Sequence, residues 1–126
     1  MAGVVIKGGK VLLVLRASSR KYYPGVWDLC GGHVREAEAL EVALRREVYE
    51  ELGINVKAHR LIGVVHEPVE PADIHLFAIS DWDGEPMNIA TEEHTEISWF
   101  SESALPESNA LDAYRAEVVK ALRAAD

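Results

Sequence analysis

Apolar and polar positions alternate along the chain in a way that predicts short strands interrupted by two helical stretches. Residues 4–6 and 11–15 are apolar runs separated by Lys7-Gly8-Gly9-Lys10. Gly-Gly supplies the positive φ that a tight hairpin needs, so the chain should open with two paired strands. Residues 17–25 form a polar loop carrying Arg20, Lys21, Tyr22 and Tyr23 and closed by Pro24-Gly25. Residues 26–29 read as a short strand broken by Gly31-Gly32. Over residues 38–52, Leu40, Leu44, Val48 and Leu52 draw one helical stripe, and Gly53 stops it as a left-handed cap commonly does. Residues 54–67 hold one or two strands, 74–79 another, Asp83-Gly84 a turn, and 96–100 a further strand. Residues 110–125 predict a second helix with Leu111, Tyr114, Val118 and Leu122 facing inward. Strands, helix, strands, helix is an order that suits a mixed α/β architecture, a mixed sheet between two helices.

Length adds one bound: 126 residues fit a single domain over 1–126, long enough to bury a core. The longest uninterrupted apolar run, residues 11–15, is far short of the roughly 20 needed to span a bilayer, so no membrane partner is expected. No basic segment followed by an apolar stretch and a small-residue cleavage site opens the chain. With Cys30 as a lone thiol, the expectation is a reducing cytoplasm. The formal charge of −8 argues against polymeric nucleic acid, which demands a basic footprint. A small phosphorylated partner remains open, because acidic clusters hold divalent cations and those cations attract phosphate.

That chemistry has a candidate address. Glu47, Glu50 and Glu51 stand at i, i+3 and i+4 of the predicted helix, so their carboxylates share one face beside the apolar stripe. Carboxylate oxygens are the ligands that Mg²⁺ or Mn²⁺ prefer, with water and substrate phosphate completing the shell. Arg46, four residues before Glu50, is within reach to orient it. An acidic, solvated helix face is the plainer explanation of Glu50-Glu51 alone. The wider spacing outweighs it: Gly32, five residues, Glu38, seven residues, then Arg46-Glu47-Val48-Tyr49-Glu50-Glu51-Leu52-Gly53-Ile54. A match at every such position arises by chance on the order of once in 10⁹ to 10¹⁰ starting points.

This pattern resembles the signature of the Nudix hydrolases. The resemblance implies an α/β/α sandwich and hydrolysis of a nucleoside diphosphate linked to another group, with Mg²⁺ or Mn²⁺ required. It implies that Glu47, Glu50 and Glu51 bind metal, aided by backbone carbonyls near Gly31 and His33, and that Glu38 supports loop and helix. The general base in such proteins is a carboxylate of the box helix or one on a distant loop. Glu92 and Glu93, with His94 beside them, are the candidates here.

Outside the box, the chain is similar to the MutT-type branch, which cleaves nucleoside triphosphates to monophosphate and pyrophosphate. Trp27-Asp28-Leu29-Cys30-Gly31-Gly32 resembles its strand-to-loop entry, with Cys30 where proline is usual, and Trp82-Asp83-Gly84-Glu85-Pro86 resembles one of its turns. Arg16 stands where that branch places a phosphate-binding arginine, His33 where some relatives have lysine, and Asn109 where a base-reading asparagine occurs. A surface charge is the alternative for Arg16, and an N-cap of the final helix is the alternative for Asn109 or Ser108, with Asp112 at N3. Tyr22, Tyr23, Trp27 and Phe77 are available to stack on a base, Trp27 and Phe77 being better explained by the core. His59, His66 and His75 have no ligand spacing. The expected partner is a small nucleotide, and the protein a monomer or homodimer. An ADP-ribose or dinucleoside polyphosphate hydrolase is the competing enzyme, for which Pro68 and Pro71 are weak pointers. A nucleotide-sensing module without catalysis is the competing non-enzyme, against which the intact glutamates speak.

Overall fold

In the computed structural model, which describes residues 1–125, strands β1 (Ala2–Lys7) and β2 (Lys10–Arg16) form the expected hairpin. Gly8 and Gly9 take φ values of 59° and 74°, as a two-residue turn of this hand requires. The two strands remain paired only beside the turn, at Ile6–Val11 and Lys7–Lys10, and then part company. β1 goes on to pair antiparallel with β4 (Cys30–Gly31) and parallel with β6 (Ala72–Asp83). β2 pairs antiparallel with β3 (Trp27–Asp28) and with β7 (His94–Ser101). β5 (Asn55–Glu67) closes the outer edge as a long antiparallel partner of β6, with register shifts along its length.

Successive residues of a strand point to opposite faces, and here each face has its own helix. Val5, Leu12 and Val14, with Cys30, Phe77 and Ile79, pack against Leu44, Val48 and Leu52 of α1 (Leu40–Leu52). Val4, Ile6, Val11 and Leu13, with Leu29 and Leu76, pack against Leu111, Tyr114, Val118, Ala121 and Leu122 around α2 (Arg115–Ala124). Each such side chain contributes roughly 1.5–3 kcal/mol when fully buried. The result is the expected α/β/α sandwich around a mixed sheet.

Several strands run past their expected ends, β6 over Ala72–Asp83 rather than 74–79 most of all, and three other boundaries differ for reasons the side chains show. α1 begins at Leu40 rather than 38, because the Glu38 carboxylate turns back to accept the Arg35 N–H at 3.0 Å. α2 begins at Arg115 rather than 110. Residues 109–114 instead make turns, with the Leu111 N–H donating to Ser108 O and the Tyr114 N–H to Leu111 O. The inward stripe is real, since Leu111 and Tyr114 are buried, yet side-chain ties shape the backbone there. Ser108 Oγ donates to Trp27 O at 2.6 Å, and the Tyr114 hydroxyl donates to Asp28. The strand expected over 26–29 is only β3, at Trp27–Asp28, and a second two-residue strand, β4, follows at Cys30–Gly31, where the glycines were expected to end it. At Leu29 the chain leaves β2 for β1, and Asp28 Oδ1 accepts the Leu29 N–H at 2.7 Å to bridge the change.

Candidate active site

The C-terminal half of α1 faces the loop that leaves β4, and the two are bound by charge. Arg46 donates from Nε and Nη2 to the two oxygens of Glu38 at 2.8 and 2.9 Å, and from Nη2 to His33 O at 3.2 Å. Its Nη1 reaches Glu47 Oε1 at 2.7 Å and Glu50 Oε2 at 3.4 Å. One guanidinium therefore joins the loop to two of the three helix carboxylates, a use for which its planar fork is suited. The same contacts hold the Glu38 carboxyl below the usual carboxylate range, the Arg46 hydrogen bonds being the largest cause.

The three glutamates share a helix face but occupy different surroundings. Glu50 is half exposed and also approached by Arg35 at 4.0 Å. Glu47 lies over Gly32, so close that a Cβ there would meet its carboxyl at 2.5 Å. Glu51 points inward, with only 2% of its surface exposed. Its Oε2 accepts the Gly31 N–H at 2.9 Å, and its Oε1 lies 3.2 Å from His94 Nε2. Burial, and then the charge of Glu47, push the Glu51 carboxyl up to about 9.

Among the described residues, no three His, Cys, Asp or Glu side chains converge into a ready-made metal cage. Mg²⁺ rarely uses one: it takes one or two carboxylates and fills its octahedron with water and substrate phosphate. Glu47 and Glu51 suit that pattern. Both offer oxygen ligands, and the charge of a buried Glu51 carries a cost that an adjacent cation would offset.

The remaining sequence candidates are dispersed. Arg16 is turned inward: Nε donates to Tyr22 O and Tyr23 O, Nη2 to Tyr22 O at 2.7 Å, and Nη1 lies 3.4 Å from Asp28. His33 is exposed and meets Glu70 at 2.9 Å. Asn109 is exposed in the turn before α2, whose N-cap is Tyr114, so the expected capping job does not exist for it. Glu92 and Glu93 are both exposed. Glu93 is close enough to raise the Glu51 carboxyl, and its carbonyl accepts the Ala17 N–H at 2.9 Å. Tyr23 donates its hydroxyl to Glu67, and Trp27 packs edge-on to Phe100 with ring centroids 4.9 Å apart. Cys30 is fully enclosed, and burial pushes its thiol up, which leaves it unreactive.

Arg20, Asp28 and Glu67 have roles around the site that their sequence positions do not announce. Arg20 acts electrostatically on both Glu51 and His94 and donates to Glu93 O at 3.4 Å. Asp28 is buried, which pushes its carboxyl up to about 6 against the opposing effects of Tyr114 and Arg16. A charged residue between Trp27 and Leu29, in a stretch read as strand, was the available signal for Asp28. Glu67, at the end of β5, offered none.

The model of the family described as NUDIX domain matches residues 1–122. The chain belongs to the NUDIX family. An oxidized purine nucleoside triphosphate hydrolase from Danio rerio is 32% identical over 107 residues, covering 82% of this chain and 65% of that protein. An 8-oxo-dGTP diphosphatase from Buchnera aphidicola is 30% identical, covering 65% of this chain and 62% of that one. The chain thus spans slightly under two thirds of the length of both relatives. A CTP pyrophosphohydrolase from Escherichia coli is 33% identical, covering 80% of this chain and 73% of the relative. Among solved structures, a MutT NUDIX hydrolase from Burkholderia pseudomallei superposes with a TM-score of 0.83 at 29% identity, covering 93% of this chain and 92% of that one. The Glu38–Arg46 clasp and the glutamate face lie within the matched NUDIX region, and NUDIX hydrolases generally require a divalent metal. Among the described residues, no helix is long and apolar enough to cross a membrane.

Proposed function

We propose that this protein is a metal-dependent pyrophosphohydrolase that converts a nucleoside triphosphate to the monophosphate and pyrophosphate, with oxidised or otherwise unwanted nucleotides as its substrates. The observation that carries this is the arrangement of Glu47, Glu50 and Glu51 around Gly31-Gly32, clasped by Arg46 and Glu38. The activities of the similar proteins, on oxidised purine nucleoside triphosphates, 8-oxo-dGTP and CTP, support the choice of a triphosphate.

In this reading Glu47, Glu50 and Glu51 would hold Mg²⁺ or Mn²⁺, Glu50 from the exposed side, with the Gly31 carbonyl as a further ligand. The cation, when bound, neutralises pyrophosphate charge and lowers the pKa of the attacking water. Arg46 keeps Glu47 and Glu50 oriented and prevents their repulsion from opening the site. Arg20 supplies the positive charge for a phosphate; Arg16, engaged by Tyr22, Tyr23 and Asp28, shapes the loop that carries it. His33, exposed on the segment that follows β4, offers a further contact to phosphate. Glu93 is favoured over Glu92 as general base because its charge is felt at Glu51. Asn109, free of any capping job, reads the base through its amide. The protein works in the cytoplasm on a small nucleotide.

A panel of ordinary and oxidised nucleoside triphosphates, ADP-ribose and diadenosine polyphosphates, assayed with Mg²⁺, tests this. Pyrophosphate rather than orthophosphate should be released from at least one triphosphate. Glu50→Gln should lose roughly 10²–10⁴-fold in turnover. Turnover of ADP-ribose alone would overturn the triphosphate assignment, and tight binding without turnover would make the protein a sensor.

A further inference from the structure

His94 opens β7 directly over the buried glutamate of α1, and the chain holds it there from several sides. Its backbone N–H donates to Ala90 O at 2.9 Å, and its carbonyl accepts from Asn88 Nδ2 at 2.8 Å. The preceding segment is itself fastened to the end of α1, with the Met87 N–H donating to Leu52 O and the Ile89 N–H to Glu51 O. The register shift between Leu15 and Arg16 falls where β2 meets His94. Only 2% of the residue is exposed. Its Nε2 lies 3.2 Å from Glu51 Oε1, while Nδ1 is buried without a partner.

The unpartnered nitrogen identifies the tautomer. A buried N–H left without an acceptor is rarer and costlier than an acceptor left without a donor. With Glu51 ionised, as a metal ligand must be, the hydrogen belongs on Nε2, which faces the carboxylate, and Nδ1 is the bare nitrogen. Glu51 then has a donor beside each oxygen: the Gly31 N–H is hydrogen-bonded to Oε2 at 2.9 Å, and His94 Nε2 stands 3.2 Å from Oε1. Two donors on elements as far apart in sequence as β4 and β7 leave the carboxylate one orientation.

We propose that His94 is a positioning residue, acting through Glu51: its Nε2–H sets the carboxylate so that the remaining lone pairs face the cation. This rests on the reading of Glu51 as a metal ligand. It makes His94 part of the hydrolytic centre without contact to substrate, and it separates His94 from Glu92 and Glu93, beside which it stands in sequence. Partners in the shell behind a metal ligand typically set 10–100-fold in metal affinity.

The test is Mn²⁺ binding to the whole chain, followed by the paramagnetic resonance signal of free Mn²⁺, with thermal unfolding as the check on folding. His94→Phe should weaken Mn²⁺ about 10–100-fold. His94→Gln, whose amide nitrogen reaches nearly as far as Nε2, should restore most of that loss, whereas His94→Asn, one carbon shorter, should not. In a Glu51→Gln background, His94→Phe should cause no additional loss. Wild-type Mn²⁺ affinity in folded His94→Phe, alongside weakened binding in Glu51→Gln, would overturn the role of His94 while leaving Glu51 as a ligand. Unchanged binding in Glu51→Gln would overturn the ligand assignment itself. Where His94→Phe fails to fold, the Gln and Asn variants decide: equal affinities overturn the proposal, and retention by Gln alone supports it.

Discussion

Gly32 and Glu47 are in such close contact that a Cβ on the glycine would lie 2.5 Å from the glutamate carboxyl. What would have to move is the tip of a flexible side chain, so the fold can absorb the change while Glu47 cannot keep its place. Gly32→Ala should therefore stay within about 1 kcal/mol of parental stability. Its turnover should fall roughly 10–10²-fold, as displacements of about 1 Å at such centres do. The neighbouring Gly31 behaves oppositely. A Cβ there would run into the backbone of Met1 and of Ala2, the residue paired with Gly31 in the sheet, so Gly31→Ala should lose roughly 3 kcal/mol or more. Denaturant unfolding and initial rates on both variants check the contrast; equal stabilities would contradict it.

Glu51 links the site to pH. Its carboxyl sits at about 9 in the folded protein against an ordinary value of 4.5, with burial as the main cause. Between these values the folded state binds the extra proton, so metal-free stability falls as pH rises. His94 has the opposite sign. It is held down to about 4 from 6.5, so its contribution grows with pH only up to 6.5. The decline due to Glu51 should consequently emerge between about 6.5 and 9. Thermal unfolding in chelator should show it, and Glu51→Gln should flatten it, with a Tm on the order of 5 °C above the parent at the alkaline end. Parallel pH curves for the two proteins would refute this.

Tyr114 donates its hydroxyl to Asp28, one of three groups that favour the charge of that buried carboxyl. Asp28 is nonetheless raised from 3.8 to about 6 by burial, so its ionisation lowers stability as pH climbs through that interval. Tyr114→Phe removes a donor from the ionised form and should cost about 1–3 kcal/mol above pH 6. Below pH 3.8, where Asp28 is protonated in both states, the loss should be smaller. Urea unfolding at the two ends of this range distinguishes the outcomes; a pH-independent loss would mean that Tyr114 serves Asp28 only by packing.

Asn109 is exposed and caps no helix. Asn109→Ala should change stability by no more than about 0.5 kcal/mol. It should shift the ratio of kcat/KM between purine and pyrimidine triphosphates by roughly tenfold. Measured selectivity equal to the parent's would remove Asn109 from base recognition.

Local information accounts for much of what was legible. The Gly8-Gly9 turn, the Leu44–Val48–Leu52 stripe and the Gly53 cap depend on neighbours within a few residues, and each took its expected form. Gly53 has a φ of 72° and its N–H donates to Tyr49 O at 2.9 Å. Misplaced boundaries occur where a distant partner intervenes. Leu111 and Tyr114 follow helical spacing, but the Tyr114 hydroxyl on Asp28 and the Ser108 hydroxyl on Trp27 O hold that stretch in turns. Arg16 illustrates the same limit: its charge was visible, but not the Tyr22 and Tyr23 carbonyls and Asp28 that engage it.

The sequence by itself determined the sandwich and the glutamate face of α1, because strand alternation and helical periodicity are short-range and the box spacing specifies which carboxylates coincide. Only the tertiary structure decided how those carboxylates differ. Glu50 stays near solvent, Glu47 rests on Gly32, and Glu51 is enclosed between β4 and the first residue of β7. Burial and the position of a donor 43 residues away (Glu51 to His94) depend on how the sheet divides between β1 and β2. No local pattern in the chain encodes that division.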